Sequence, residues 1–162
     1  MKIAEKKLQY KIYCNIEELP DSYKALVLRA REETQKSYAP YSQFRVGAAL
    51  LLENGAVFGG NNQENAAYPS GLCAERTALF YAQSQHPDVA VNVIAISAFF
   101  RNNLTQETIK PCGACCQVLS EVEKRSKNIM TVILDGQDQI EVIEGVNNLL
   151  PFRFSGEELK NI

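Results

Sequence analysis

VAVNVIAISAFF from Val89 to Phe100, PCGACCQVLSEV from Pro111 to Val122 and MTVIL from Met130 to Leu134 decide the fold. The first and last are apolar runs of strand length. Between them Val118, Leu119 and Val122 recur at helical spacing behind a Pro-Cys-Gly opening. A helix set between two buried strands belongs to a layered α/β domain. Working outward, Phe44–Leu52 and Ala56–Phe58 are apolar runs joined by Glu53-Asn54-Gly55, a strong hairpin signal. A helical pattern runs from Cys73 through Thr77, Ala78, Phe80, Tyr81 and Ala82 to before Pro87. Another opens at Pro20 and Asp21 and should continue to about Tyr38, before Pro40. Residues 7–13 alternate as a short edge strand, and Ile140–Ile143 adds a last one. Gly59–Gly71 reads as a long irregular loop, of the kind that carries function, and Gly156–Lys160 has helical character.

With 162 residues, 46% hydrophobic and 22% charged, the chain is sized and composed for one packed domain, residues 1–162. Residues 1–20 form an N-terminal extension of no evident role. No stretch approaches the roughly eighteen apolar residues of a membrane span, since Asn92 interrupts the nearest. The N-terminal lysines are followed by Glu5, Gln9 and Asn15, which break any signal-peptide core, so a cytoplasmic location is expected. A net charge of −2 argues against a polynucleotide partner, whose phosphates require clustered Lys and Arg. The chain has five cysteines and one histidine, so a metal site must rely on thiolates.

Cys112 and Cys115 are three apart, which puts both side chains on one helix face where they can grip one ion. Cys73 and Cys112 both open helical patterns, where the positive end of the dipole favours thiolate over thiol. Three thiolates with a position left for water make a catalytic zinc site, whereas a structural one is closed by a fourth ligand. The residues able to close it are Cys14, Cys116 and His86. Cys116 is turned about 100° around the helix from Cys115. His86 suits a surface position and Cys14 a strand or loop, so the open arrangement is preferred. Glu75 then gains a direction, because a carboxylate beside the metal can move protons between water and a leaving group. Residues two apart in mid-helix point about 200° apart, so Cys73 and Glu75 can share a pocket only at an open first turn. Without the second cysteine motif, Glu75 would read as an ordinary first-turn acid.

These motifs resemble those of the zinc-dependent nucleobase deaminases. The flanking stretches YAPYSQFRVGAAL from Tyr38, NQENAAYP from Asn62, CAERTALF from Cys73 and LLPFRF from Leu149 are similar to the small homotetrameric cytidine deaminases. The resemblance implies a three-layer α/β/α fold with a mixed sheet of about five strands. It also implies one Zn²⁺ per subunit on Cys73, Cys112 and Cys115, with Glu75 as the proton shuttle. Phe44 would contact the pyrimidine, Asn62 and Glu64 the ribose hydroxyls, and the Ala74 N–H the reacting end of the base. Tyr68 and Phe154 would reach a neighbouring subunit's pocket, so that a homotetramer completes each site. Arg76 would hydrogen-bond ligand sulfur. Cys116 stands where the family commonly has a second arginine, which predicts a somewhat weaker Lewis acid.

The implied reaction is hydrolytic deamination of cytidine and deoxycytidine to uridine and deoxyuridine, with release of ammonia, in pyrimidine salvage. The partner is a small nucleoside, with neither nucleic acid nor membrane expected. The alternatives are a deaminase of blasticidin-type cytosine nucleoside antibiotics and a non-catalytic structural zinc module.

Overall fold

A computed structural model describes residues 1–156 and Leu159. Its elements are β1 (Lys11–Tyr13), α1 (Asp21–Thr34), β2 (Phe44–Leu52), β3 (Val57–Asn61), α2 (Ala74–Gln85), β4 (Val91–Phe100), β5 (Asn103–Leu104), α3 (Gly113–Ser126), β6 (Thr131–Asp135) and β7 (Ile140–Glu144). The strands form one mixed sheet in the order β1-β7-β6-β4-β2-β3, with β5 paired to β4. Among the described residues only the β4 and β6 strands run parallel, as the crossover through α3 requires, and the other strand pairs are antiparallel.

Strand alternation sorts the core into two layers. Ala48, Leu50, Leu52, Ile94, Ile96, Val132 and Leu134 pack with Ala78, Leu79 and Ala82 of α2 and Leu119 and Val122 of α3. The intervening Ala49, Val93, Ala95 and Ile133 meet Leu26, Val27 and Ala30 of α1 on the opposite face. The result is the expected α/β/α sandwich. Two glycines let the helices approach the sheet backbone. A Cβ at Gly47 would lie 2.1 Å from the Ala30 carbonyl oxygen, and one at Gly60 would lie 2.4 Å from the Ala78 nitrogen.

Several boundaries differ from the sequence expectation. The sheet has seven strands rather than about five, because β1 and the two-residue β5 add short edge pairings. The strand expected over 7–13 contracts to Lys11–Tyr13, and residues 1–10 are exposed throughout. The first helix ends at Thr34, not near Tyr38. Its chain finishes in i→i−3 bonds at Gln35, Lys36 and Ser37, and the Tyr38 backbone instead pairs with Asn62 and Glu64. The loop expected from Gly59 begins only after Asn61, since Gly59 and Gly60 belong to β3. In the helical reading of Gly156–Lys160, Glu157, Glu158 and Lys160 lie outside the described residues.

Candidate active site

Cys73 is the N-cap of α2 (φ −73°, ψ 152°) and Cys112 the N-cap of α3 (φ −67°, ψ 164°). Both are extended, so each stands outside the helical frame that follows it. That break allows Cys73 and Glu75 to face one pocket although they are only two apart. Cys112 and Cys115 occupy the N-cap and third helical positions, whose side chains meet in a capping box. Neither N-cap sulfur takes a capping bond, which leaves first-turn N–H groups of both helices free to stabilise negative charge.

The sulfurs of Cys73, Cys112 and Cys115 all lie within 4.8 Å of one another. Tetrahedral Zn–S bonds of about 2.3 Å would bring them to about 3.8 Å apart, so zinc fits this donor set with small side-chain adjustments. The Cys73 thiol is pulled down to about 5, first by a hydrogen bond from Cys115 and then, against burial, by Arg76. Cys115, the donor of that bond and itself buried, is pushed up. Its proton must leave when a metal enters. The other cysteines and the histidine lie apart from this group. Cys116 is buried and its thiol donates to the Pro111 carbonyl at 3.5 Å; Cys14 is exposed; His86 packs 5.5 Å from the Phe58 ring.

Glu75 is 5% exposed. Burial pushes its carboxyl above the ordinary range, and the Cys73 charge adds to this, against its own backbone N–H and the Cys115 thiol. A carboxyl so placed holds a proton more readily than a solvated one, as a proton shuttle needs. Arg76, at the third position of α2, reaches back to place Nη2 3.5 Å from the Cys73 sulfur.

Beside the sulfurs is a cavity of about 280 Å³ lined by Asn62, Gln63, Glu64, Asn65, Tyr68, Gly71, Leu72, Cys73 and Arg76. It brings Asn62, Glu64 and Tyr68 together with Cys73. Phe44, whose ring is 6.5 Å from that of Phe100, and Phe154 are not among its lining residues. The Asn62 carboxamide donates to the Phe44 carbonyl at 2.9 Å and accepts from the Val46 N–H at 2.8 Å and from the Ser37 hydroxyl. One amide hydrogen remains for a ligand. The Glu64 carboxylate accepts from the Tyr41 N–H at 2.9 Å, the Ser42 N–H at 3.3 Å and the Ser42 hydroxyl. The Ser42 hydroxyl bond above all holds it below the ordinary carboxylate range.

Two supporting sets escaped the sequence reading. Tyr41 and Ser42 orient Glu64, and the turn-forming Pro40-Tyr41-Ser42 stretch was the available signal. Buried Glu141 accepts from Thr108 and Lys110, each at 2.9 Å, anchoring the segment that leads into Pro111 and Cys112. That pairing joins distant parts of the chain and leaves no local signature.

Residues 20–133 match the family model described as the cytidine and deoxycytidylate deaminase zinc-binding region. The chain belongs to this deaminase family. A cytidine deaminase of Halalkalibacterium halodurans is 38% identical over 138 residues, covering 84% of this chain and 96% of the relative. One from Sporosarcina psychrophila is 37% identical over 134 residues, covering 83% and 92%. The crystal structure of cytidine deaminase from Burkholderia pseudomallei superposes with a TM-score of 0.70 at 41% identity, covering 80% of this chain and 97% of that one. The Mycobacterium tuberculosis enzyme gives 0.64 at 28%, covering 84% and 99%. Cys73, Cys112 and Cys115, whose cluster fits a zinc site, all fall within the matched span.

Proposed function

We propose that the chain hydrolyses cytidine and deoxycytidine to uridine and deoxyuridine, releasing ammonia. The observation that carries this reading is the buried Glu75 carboxyl against a three-sulfur cluster, next to a cavity containing Glu64. Cys73, Cys112 and Cys115 would hold zinc, which when bound supplies the Lewis acid that makes water nucleophilic at neutral pH.

Glu75 takes a proton from the attacking water and gives it to N3 of the pyrimidine. It then carries a second proton to the amino nitrogen, which departs as ammonia while C4 gains the oxygen. The Ala74 N–H, at the open end of α2, orients the reacting end of the base. Phe44 packs on the ring. Asn62 and Glu64 bind ribose hydroxyls, and a carboxylate kept anionic there disfavours a phosphorylated sugar. Arg76 offsets the charge of the sulfurs, with Cys116 in the position of a second cation.

Tyr68 is 79% and Phe154 57% exposed, which suits aromatics that complete a neighbour's pocket in a homotetramer. Pyrimidine salvage in the cytoplasm is the corresponding role.

Purified protein should diminish the ultraviolet absorbance of cytidine, and a chelator should stop it. Glu75→Ala should abolish turnover while retaining zinc; turnover at the wild-type rate would sink the assignment. Rates on blasticidin-type antibiotics far above those on cytidine would favour that substrate instead.

A further inference from the structure

Another cavity, of about 310 Å³, is lined by Ala39, Pro40, Gln43, Arg45, Arg101 and Asn102. It shares no lining residue with the cavity beside the sulfurs. Arg45 follows Phe44 on β2, so alternation turns it toward the sheet face that α1 covers farther along at Gly47 and Ala49. The site is therefore separate from the one described above.

Its charge is unbalanced. No carboxylate lines it, and neither guanidinium has an ion-pair or hydrogen-bond partner among the described residues. Arg45 is half-buried, and the Arg101 guanidinium carbon sits 5.1 Å from the centre of the Phe100 ring, a contact that leaves its N–H edges free. The chain as a whole is acidic, at −2, so two unopposed arginines in one recess are not a sample of a generally basic surface.

The backbone adds an independent observation. Among the described residues, those other than glycine with positive φ are Gln43 (54°), Arg101 (47°), Asn102 (68°) and Lys127 (54°). Lys127 simply ends α3, but the other three all line this cavity. Arg101 and Asn102 are the two central residues of the β4–β5 hairpin, where positive φ is the geometry of the turn, and the Arg101 N–H donates to the Gln43 carbonyl, so the turn holds Arg101 against the 39–43 loop.

We propose that Arg45 and Arg101 form a binding site for a phosphoryl group, carried by inorganic phosphate or by a nucleotide. Planar guanidinium groups present paired N–H donors matched to phosphate oxygens, and the recess accommodates that group without an opposing acid. Because the same loop supplies the Tyr41 and Ser42 N–H groups to Glu64, an occupant gripping Gln43 and Arg45 steadies Glu64. Occupancy then lowers KM for nucleoside with little change in kcat, a consequence that rests on the proposed nucleoside reading.

The test is calorimetric titration of the zinc-loaded protein with inorganic phosphate and, separately, with adenosine triphosphate, at constant ionic strength set with chloride. The expected result is saturable binding in at least one arm, weakened about tenfold or more in Arg45→Gln and in Arg101→Gln, the equivalent of one charge-assisted hydrogen bond each. Binding of phosphate alone identifies the free anion as the source, and binding of the nucleotide alone identifies a phosphorylated nucleoside. Absence of saturable binding in both arms, or equal binding by both variants, overturns the site whatever the fate of the deaminase reading. A KM for cytidine unmoved at saturating anion overturns the coupling.

Discussion

At the residue scale, the charge on the sulfur cluster is the quantity to account for. Three thiolates and one Zn²⁺ leave a net −1, and the cation touching them is Arg76, 3.5 Å from Cys73. Groups that hydrogen-bond metal ligands commonly alter metal affinity or rate by 10- to 100-fold. Arg76→Gln is accordingly expected to speed zinc release to a chromophoric chelator by about tenfold or more. Cys116→Arg, placed on the Arg76→Gln background, restores part of the lost retention by returning positive charge to the start of α3. Unchanged zinc release in the single variant would show that the two helix N-termini suffice. The convergence of Cys73, Cys112 and Cys115 was legible because the cysteines sit at helix openings with a three-residue repeat. Cys116 was also legible as lying off the three-sulfur cluster, since adjacent helical side chains diverge; its thiol bonds the Pro111 carbonyl instead. The hydrogen bonds of Glu64 were not, because they depend on where the 39–43 loop folds in space.

At the scale of elements, α2 must hold Cys73 and Glu75 at its first turn while its body lies directly on β3. A Cβ at Gly60 would fall 2.4 Å from the Ala78 nitrogen and 2.8 Å from its Cα, atoms of helix backbone that cannot rotate aside. Gly60→Ala therefore displaces α2, with an expected loss of about 1–3 kcal/mol in urea denaturation, as for other overpacked cores. The same shift weakens zinc retention. Gly113 opens α3 with nothing within 4 Å of its would-be Cβ, so Gly113→Ala leaves the urea midpoint unchanged or slightly higher. Equal effects at the two positions would contradict this packing account. The sequence pattern marked the Asn54-Gly55 hairpin and the helix openings, where local chemistry decides. It misassigned Gly59 and Gly60 to a loop, because glycine composition cannot distinguish a flexible connection from a strand approached closely by a helix.

At the scale of the whole molecule, apolar runs of strand length separated by helical patterns made the layered α/β class legible, but the strand order β1-β7-β6-β4-β2-β3 rests on pairings between remote segments. The attachment of α1 to the sheet was equally hidden. Its Glu33 is 4% exposed and accepts from Lys36 at 3.0 Å and Asn61 at 3.2 Å, with Arg29 paired at 2.7 Å. Burial alone would raise its carboxyl, but the bonds from Lys36 and Asn61 and the charges of Lys36 and Arg29 hold it below its ordinary value of 4.5. A carboxyl depressed by folding contributes stability that is fully present above its unfolded value and is lost as pH falls through the folded one. Glu33→Gln should therefore cost about 1–2 kcal/mol near neutrality, a figure reduced because the Arg29 and Lys36 ends are solvated. The gap between wild type and variant should close as pH falls below 4.5. Urea midpoints from pH 7 to about 3 measure it, and a gap that widens on acidification would mean that Glu33 is protonated in the folded state, reversing the sign of the argument.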